Sequence, residues 1–195
     1  MFKKYSIEDT FKIDPIHFGS DIDEVAKEVL QAKYEGTIDK DMGLIVAVFN
    51  IRDVGDGLVY PGDPATHHNV KFDILTYMPI VDEVVVGEVT ELAEFGAFVR
   101  IGPMDGLVHV SQITTDFLTF DRKAPAFVAR RGGKSLKKGD VVYAKISTVS
   151  MKNSIKDSKI ALSMRPEGLG KLEWIIAGQK GAAKQRRKGS KRGGR

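Results

Sequence analysis

The chain has 195 residues, a formal net charge of +4, 42% hydrophobic and 29% charged residues, and no cysteine. This length fits one domain or two small ones with a real core, and the lack of cysteine excludes disulfides, Cys-based zinc sites and thiol catalysis. The longest strongly apolar run, Leu44–Phe49, is far too short to span a bilayer, and the N-terminus lacks the apolar core of a signal peptide. We therefore expect a cytoplasmic protein with no membrane partner.

The first 80 residues predict a small α+β domain in which a helix packs on an antiparallel sheet. A strand pattern runs from Phe2 to Ile13, and Ser20 is predicted to be the N-cap of a helix. Acids in the first turn suit the positive end of the helix dipole. Apolar residues at helical spacing predict one buried face, formed by Ile22, Val25, Ala26, Val29 and Leu30.

Gly36 closes the predicted helix, and three further strands are predicted around residues 34–40, 44–52 and 70–77. The order is therefore β-α-β-β-β. Pro79 stops the last strand, so residues 78–81 are predicted to be a linker.

A long glycine-rich segment, Val54–Asn69, lies between two of these strands. Its glycines and a Gly-Asp-Pro turn predict an ordered hairpin tip, and long segments inside compact domains are commonly functional. Tyr60 and Pro61 give the tip an apolar edge suited to docking against another protein. A metal site is a weaker alternative, since adjacent histidines seldom converge on one ion without a third organised ligand. Its ligands would be Asp63, His67 and His68.

Five β-patterned runs between residues 83 and 166 predict a small closed barrel of the oligonucleotide-binding type. Side chains alternate between the two faces of a strand, so apolar residues at every second position predict the inward face. The predicted inward residues are Ala97, Val99, Ile101, Val108, Val110, Val142, Ala144, Ile146, Ile160, Leu162 and Met164.

The opposite parity carries an aromatic ring, a guanidinium and an imidazole at Phe98, Arg100 and His109, with Lys145 and Arg165 as flanking cations. Bases stack on flat side chains while cations track phosphates, so this pattern favours single-stranded nucleic acid. Packing at the rim of the barrel is the alternative for each of these residues taken singly. Their shared parity favours a binding surface.

Four stretches are similar, in order and spacing, to the S1 RNA-binding domain: FGAFVRI at 95–101, GLVHVS at 106–111, GDVVYAKI at 139–146 and IALSMR at 160–165. Phe95 precedes the break at Gly96, so parity does not settle its facing. The resemblance implies that Phe95 contacts RNA, because its position matches an RNA-contacting aromatic of S1 domains.

Residues 1–176 as a whole resemble the stalk subunits of RNA polymerases, a family that includes the archaeal E-prime subunit and the seventh subunit of eukaryotic RNA polymerase II. The resemblance includes KYEG at 33–36, GDG at 55–57 and GKLEW at 170–174, and residues 114–136 are longer than in a minimal S1 domain, which also fits this family. It implies a truncated RNP-like domain at 1–80, an S1/OB-type barrel at 81–166 and a C-terminal segment at 167–177.

The resemblance further implies a polymerase component that pairs with the small F subunit, docks on the core subunits near the clamp and binds the emerging single-stranded RNA. It implies no catalytic residue and no cofactor in this chain, which would support initiation and processivity by binding alone. The core-docking residues would lie in the tip, namely Gly55, Gly57, Tyr60, Pro61 and Gly62.

Other S1-bearing proteins are the alternatives. An exosome accessory subunit places a further RNA-binding domain or zinc ribbon after its barrel, a translation initiation factor alpha subunit has its barrel at the N-terminus, and a nuclease needs a carboxylate cluster that does not stand out here. Residues 178–195 carry eight Lys or Arg and no acid, extend past the resemblance and are predicted to be disordered. This tail either adds salt-sensitive attraction to nucleic acid or only keeps the protein in solution.

Overall fold

A computed structural model describes residues 1–122, 124–129 and 133–177 of the chain. Two compact units are present, one formed by Met1–Pro79 with Met151–Ser158 and the other by the described residues of Ile80–Ser150 with 159–177. The predicted disordered tail, 178–195, lies outside the described residues. In the part of the chain that is described, no helix is both long and apolar enough to cross a membrane.

The first unit is a five-stranded antiparallel sheet with one long helix. Its strands are β1 (Phe2–Ile13), β2 (Ile38–Asp39), β3 (Gly43–Arg52), β4 (Leu58–Val59) and β5 (Thr66–Tyr77). Helix α1 (Ile22–Tyr34) follows a 3-10 turn at Pro15–His17. The strand order is β1-β5-β3-β2, and β4 pairs with β5 outside this path. The predicted β-α-β-β-β order is confirmed, with β4 as an addition.

The core of this unit lies between α1 and the sheet. Val25, Ala26 and Leu30 of α1 are buried, as predicted from their helical spacing. They meet Phe72 and Ile74 of β5, which are fully buried because β5 is flanked by β1 and β3. The helix and the central strand therefore pack against each other through apolar side chains.

Two predicted boundaries in this unit were wrong. The N-cap of α1 is Asp21, not Ser20, and its carboxylate accepts a hydrogen bond of 2.9 Å from the amide of Asp23. A carboxylate is favoured there because it lies at the positive end of the helix dipole. The helix continues through Tyr34, so the strand predicted around 34–40 is reduced to the two residues of β2.

The second unit is built around a closed barrel. Its strands are β6 (Val84–Ala93), β7 (Gly96–Arg100), β8 (Asp105–His109), β9 (Leu118–Asp121), β10 (Ala126–Ala129), β11 (Ser135–Lys137), β12 (Val141–Ser150), β13 (Lys159–Ser163) and β14 (Gly170–Lys171). A short helix, α2 (Val110–Ile113), follows β8. Five strands run in the order β13-β8-β7-β6-β12, and pairing of β12 with β13 closes the barrel. The predicted five-stranded barrel is confirmed.

The predicted alternation holds in this barrel, with one exception. The predicted inward side chains on β7, β8, β12 and β13 are buried, and so are Ile101 and Met164, which directly follow β7 and β13. Val110 was predicted to continue a strand but is the first residue of α2 and is only partly buried. The strand ends at His109 because that residue is the N-cap of the helix.

The sequence pattern did not reveal a three-stranded sheet, β11-β10-β9, between β8 and β12. It occupies the segment that was recognised only as longer than in a minimal S1 domain. Phe127 and Leu136 of this sheet are buried, and the Phe127 ring lies 5.2 Å from that of Phe120 on the neighbouring strand. These contacts give the sheet its own apolar face.

Candidate functional site

Two phenylalanines form an aromatic corner at the turn between β6 and β7. The ring centroids of Phe95 and Phe98 are 6.0 Å apart, and the rings stand edge to face at 89°. Phe95 is 52% exposed, while Phe98 is partly buried. An edge-to-face pair is a favourable aromatic geometry, so Phe98 holds Phe95 in place while much of the Phe95 ring stays available to solvent.

His109 lies beside this corner because β7 and β8 approach closely at Gly96. The register pairs Gly96 with His109, and the amide of Val110 donates a 2.9 Å hydrogen bond to the carbonyl of Phe95. A Cβ atom on Gly96 would collide with the Val108 carbonyl, so only glycine permits this approach. The structure thus brings Phe95, Phe98 and His109 together.

The hydrogen bonds of His109 indicate its tautomer. Its Nδ1 accepts from the amide of Ser111 at 3.3 Å and lies 2.8 Å from the Ser111 hydroxyl. An accepting Nδ1 puts the proton of the neutral ring on Nε2. We assign Nε2–H as a donor, suited to a phosphate or a base-edge acceptor.

Arg100 shares the outer face of β7, but its charge is largely balanced. Its Nε donates to Asp105 Oδ1 at 3.3 Å, and Glu88 is its cross-strand neighbour on β6. Glu91 stands opposite Phe98 in the same way. Because these carboxylates repel phosphates, a nucleic acid on this face would depend on stacking more than on charge.

Lys145 lies on an adjacent part of the barrel. It pairs with Ser163 of β13, and the register of β13 and β8 brings Ser163 level with His109. Lys145 and His109 are therefore two strands apart, roughly 10 Å between backbones. A hydrogen bond of 2.9 Å from the Ser163 hydroxyl to Gln112 lies between them, and the Lys145 ammonium is 2.5 Å from Asp82.

Arg165 lies beyond the end of β13, beside α2 and outside the aromatic corner. It follows Met164, whose amide donates to the Gln112 carbonyl at 2.8 Å, and its side chain is exposed. It lines a cavity whose other walls come from the segments around Thr114 and Trp174. Of the three predicted cations, Arg100 and Lys145 are in ion pairs and Arg165 belongs to this neighbouring cavity.

Sequence reasoning missed one cation next to the aromatic corner. Arg122, at the turn between β9 and β10, lies with its Nε 2.6 Å from Glu94, the residue before Phe95. Its side chain is 79% exposed, so its other guanidinium nitrogens face solvent. Arg122 and Glu94 are far apart in sequence, and no local pattern signals their contact.

The tip of the first unit is an ordered hairpin. Residues 58–59 and 66–67 pair as β4 and β5, so the last part of the predicted tip, 66–69, is strand. The turn at Gly62 has φ +88°, which favours glycine, and the amide of Asp63 donates to the Tyr60 carbonyl at 3.1 Å. The exposed apolar side chains at the tip are Leu58, Val59, Tyr60 and the predicted Pro61.

The base of the tip is closed by His68. Its Nδ1 lies 2.9 Å from the Gly55 carbonyl and its Nε2 lies 2.9 Å from the Thr66 hydroxyl. A Cβ on Gly57 would be 2.8 Å from this imidazole, so the chain needs glycine to pass it. Two of the three predicted glycines, Gly55 and Gly57, thus pack the backbone against a buried histidine.

The two adjacent histidines contact different partners. His67 Nε2 lies 3.0 Å from Asp63 Oδ2, whereas both nitrogens of His68 are used at the base of the tip. The amide of Ala65, His67 and Lys12 together lower the pKa of Asp63 to about 2. Across residues 1–122, 124–129 and 133–177, no three His, Cys, Asp or Glu side chains group as a metal site.

Comparison with known proteins matches both units. The model described as "SHS2 domain found in N terminus of Rpb7p/Rpc25p/MJ0397" matches residues 8–64, and "S1 RNA binding domain" matches residues 78–165. DNA-directed RNA polymerase subunit Rpo7 of Saccharolobus shibatae is 41% identical over 180 residues, covering 92% of this chain and all of the relative.

The chain belongs to the Rpo7 family of DNA-directed RNA polymerase subunits.

Eukaryotic relatives of this Rpo7-family chain extend the similarity to two further polymerases. RNA polymerase II subunit rpb7 of Dictyostelium discoideum is 27% identical over 148 residues, covering 75% of this chain and 86% of the relative. RNA polymerase III subunit RPC8 of Bos taurus is 29% identical over 128 residues, covering 66% and 63%. The predicted recognition of the family of polymerase stalk subunits is confirmed, and these relatives favour it over the exosome alternative.

Proposed function

We propose that the chain is a non-catalytic stalk subunit of an RNA polymerase that holds single-stranded RNA on the outer face of its barrel. The observation that carries the RNA-binding role is the corner of Phe95, Phe98 and His109, where a half-exposed ring stands next to an imidazole donor. A base stacks on Phe95 while the His109 Nε2–H donates to a phosphate or to the next base. Stacking tolerates every base, so the binding is largely independent of sequence.

The proposal assigns the attachment role to the first unit. The exposed Leu58, Val59 and Tyr60 give the tip an apolar end, and the turn behind them is held by Asp63. In this proposal the tip docks on the polymerase core near the clamp, the F subunit pairs with the chain, and nucleotidyl transfer is left to the large subunits. The protein then acts in the cytoplasm by binding alone, in initiation and in processivity.

The RNA-binding role is tested with the full-length chain and a fluorescent single-stranded oligouridylate at moderate salt. Replacing both rings, Phe95→Ala with Phe98→Ala, is expected to weaken Kd at least about tenfold, because base–aromatic stacking contributes roughly 1–3 kcal/mol per base. Phe117→Ala is the matched control, since Phe117 is an aromatic residue of the same unit that is 83% exposed and lies outside the corner. An unchanged Kd for the double variant would refute the assignment of this face.

The stalk role is tested by affinity capture of the tagged full chain from native cells, with stoichiometry from mass spectrometry. We expect the large polymerase subunits together with one small helical protein in equal amount. Capture of a ring-forming exonuclease in place of the polymerase would assign the protein to RNA decay and overturn the stalk proposal.

A further inference from the structure

A cavity of about 370 Å³ lies in the second unit, beside Arg165. Four segments enclose it: the end of α2 with Thr114 and Thr115, the approach to β11 at Lys134, the chain after β13, and the helical residues at Trp174. This volume falls within the range of small-molecule sites. None of the functional assignments above uses this cavity.

The walls of the cavity divide into an apolar floor and a polar, aromatic rim. Ile113 and Met164 on the floor are 1% and 2% exposed. On the rim, the Lys134 ammonium lies 5.8 Å from the centroid of the Trp174 ring and 3.4 Å from Asp116. Lys134 therefore makes a cation–π contact with the indole ring.

Trp174 is held in position by the backbone behind it. Gly170 has φ +113°, and a Cβ atom there would lie 3.1 Å from the indole ring. The ring packs directly on this glycine and is only partly buried. Trp174 thus forms a fixed aromatic wall instead of filling the core, which is the commoner location of a single tryptophan.

The composition of the rim indicates the class of ligand. A flat aromatic wall next to the Arg165 guanidinium, the Lys134 ammonium and two threonine hydroxyls matches a flat base that carries a phosphate. A purely apolar ligand would make no use of the Arg165 guanidinium, which lines the cavity. Free phosphate would leave the indole unused, and the carboxylate of Glu167, which also lines the cavity, opposes any phosphate bound there.

The cavity is also close to the aromatic corner. The register pairs Leu162 of β13 with Val108 of β8, so Arg165 lies about two residues beyond the level of His109 and one strand to the side. At about 3.3 Å per residue and 4.8 Å between strands, the two backbones are separated by roughly 8 Å. One RNA strand can cross α2 and reach both places.

We propose that this cavity binds one nucleotide of the single-stranded RNA held at the aromatic corner, with the base against Trp174 and the phosphate at Arg165 and Lys134. This inference rests on the proposed RNA-binding function. It adds a second binding point, so that the strand leaves the corner in a defined direction across α2.

Trp174 is the only tryptophan of the chain, so its fluorescence reports on the cavity alone. The full-length chain is titrated with the labelled oligouridylate and with uridine 5′-monophosphate, while RNA anisotropy and tryptophan emission are followed in parallel. We expect both ligands to change the emission. For Arg165→Gln, the dissociation constant obtained from the emission titration is expected to rise at least about fivefold, as for the loss of a charge-assisted hydrogen bond. Lys134→Gln is expected to raise the same constant.

Lys137→Gln is the matched control, because Lys137 is an exposed lysine of β11 that does not line the cavity. The double variant of Phe95 and Phe98 is expected to keep its emission response to uridine 5′-monophosphate, which would establish two separate binding points. Circular dichroism of each variant checks that the fold is retained.

The outcomes separate the inference from the proposed function. Oligouridylate that binds by anisotropy without changing Trp174 emission would overturn the cavity proposal and leave the RNA-binding role intact. No binding by anisotropy would overturn the RNA-binding role itself. Inorganic phosphate that reproduces the full response to uridine 5′-monophosphate would reduce the cavity to an anion site and refute the nucleotide.

Discussion

At the scale of single residues, Asp73 is the most heavily bonded side chain of the first unit. It lies on the central strand β5 with no exposed surface. Its carboxylate accepts from Arg52 at 3.2 Å, Asn50 at 2.6 Å and Ser6 at 2.5 Å, and the Lys4 ammonium is 2.9 Å away. These donors, Arg52 foremost, hold the pKa of Asp73 well below its usual range. The carboxylate thus joins β1, β3 and β5 on the face away from α1.

Asp73→Asn is expected to destabilise the first unit in a pH-dependent way. The folded pKa is lowered, so the carboxylate contributes its stability above the ordinary value of about 3.9 and loses it progressively as the pH falls below that value. Amide hydrogen exchange in β1 and β5 should therefore be much faster in the variant at neutral pH, and the difference from wild type should shrink in acid. Asp41→Asn, at an exposed aspartate, is the control. A difference that stays constant down to low pH would contradict this role.

At the scale of elements, the tip hairpin depends on one turn. Asp63 accepts from the Ala65 amide at 3.1 Å and lies 3.3 Å from the Lys12 ammonium, which ties the turn to β1. The lowered pKa of Asp63, about 2, means that these bonds stabilise the turn above the ordinary aspartate pKa and are lost as the pH falls towards 2. At neutral pH, the hydrogen bond to Ala65 and the ion pair with Lys12 therefore stabilise the conformation of the tip.

Asp63→Ala is expected to loosen the tip and to lower recovery of the polymerase core in affinity capture, since docking then has to order the turn first. Hydrogen exchange at residues 60–65 should rise in the same variant. Asp56→Ala provides the control, because Asp56 is an exposed residue of the same segment. Unchanged core recovery with a loosened turn would show that docking does not use the ordered tip.

At the scale of the whole molecule, charge is divided unevenly along the sequence. Eight of the 30 Lys and Arg residues lie in 178–195, which leaves 22 against 26 Asp and Glu in the rest of the chain. The aromatic corner itself is bordered by Glu88, Glu91 and Asp105. We therefore propose that long-range electrostatic attraction to RNA comes mainly from the basic tail.

Removing residues 178–195 is expected to weaken RNA binding at low salt. The slope of log K against log salt should become shallower by about 0.7 for each phosphate of a single strand that the tail neutralises. Binding at high salt should change little, because stacking at the aromatic corner is retained. A tail of equal length with Gln at every Lys and Arg should behave like the truncation. An unchanged slope would assign the tail to solubility alone.

Much of the fold followed from local rules. Side chains alternate along a strand whatever its partners are, so the inward set of β7, β12 and β13 was predicted correctly, and helical spacing correctly placed Val25, Ala26 and Leu30 in the core. The errors occurred at ends of elements, at Ser20, Tyr34 and Val110. There a cap or a neighbouring strand decides between conformations that differ little in local preference.

The sequence by itself determined the two-part α+β and barrel organisation, the family, and the residues that face outward. The tertiary structure decided which of those residues meet. His109 lies opposite Gly96, next to Phe95, Arg122 reaches Glu94, and Trp174 meets Lys134 only through strand register and chain crossings. Register depends on the pairing of whole strands and on close approaches such as that at Gly96, and these are properties of the assembled barrel that no local stretch of sequence contains.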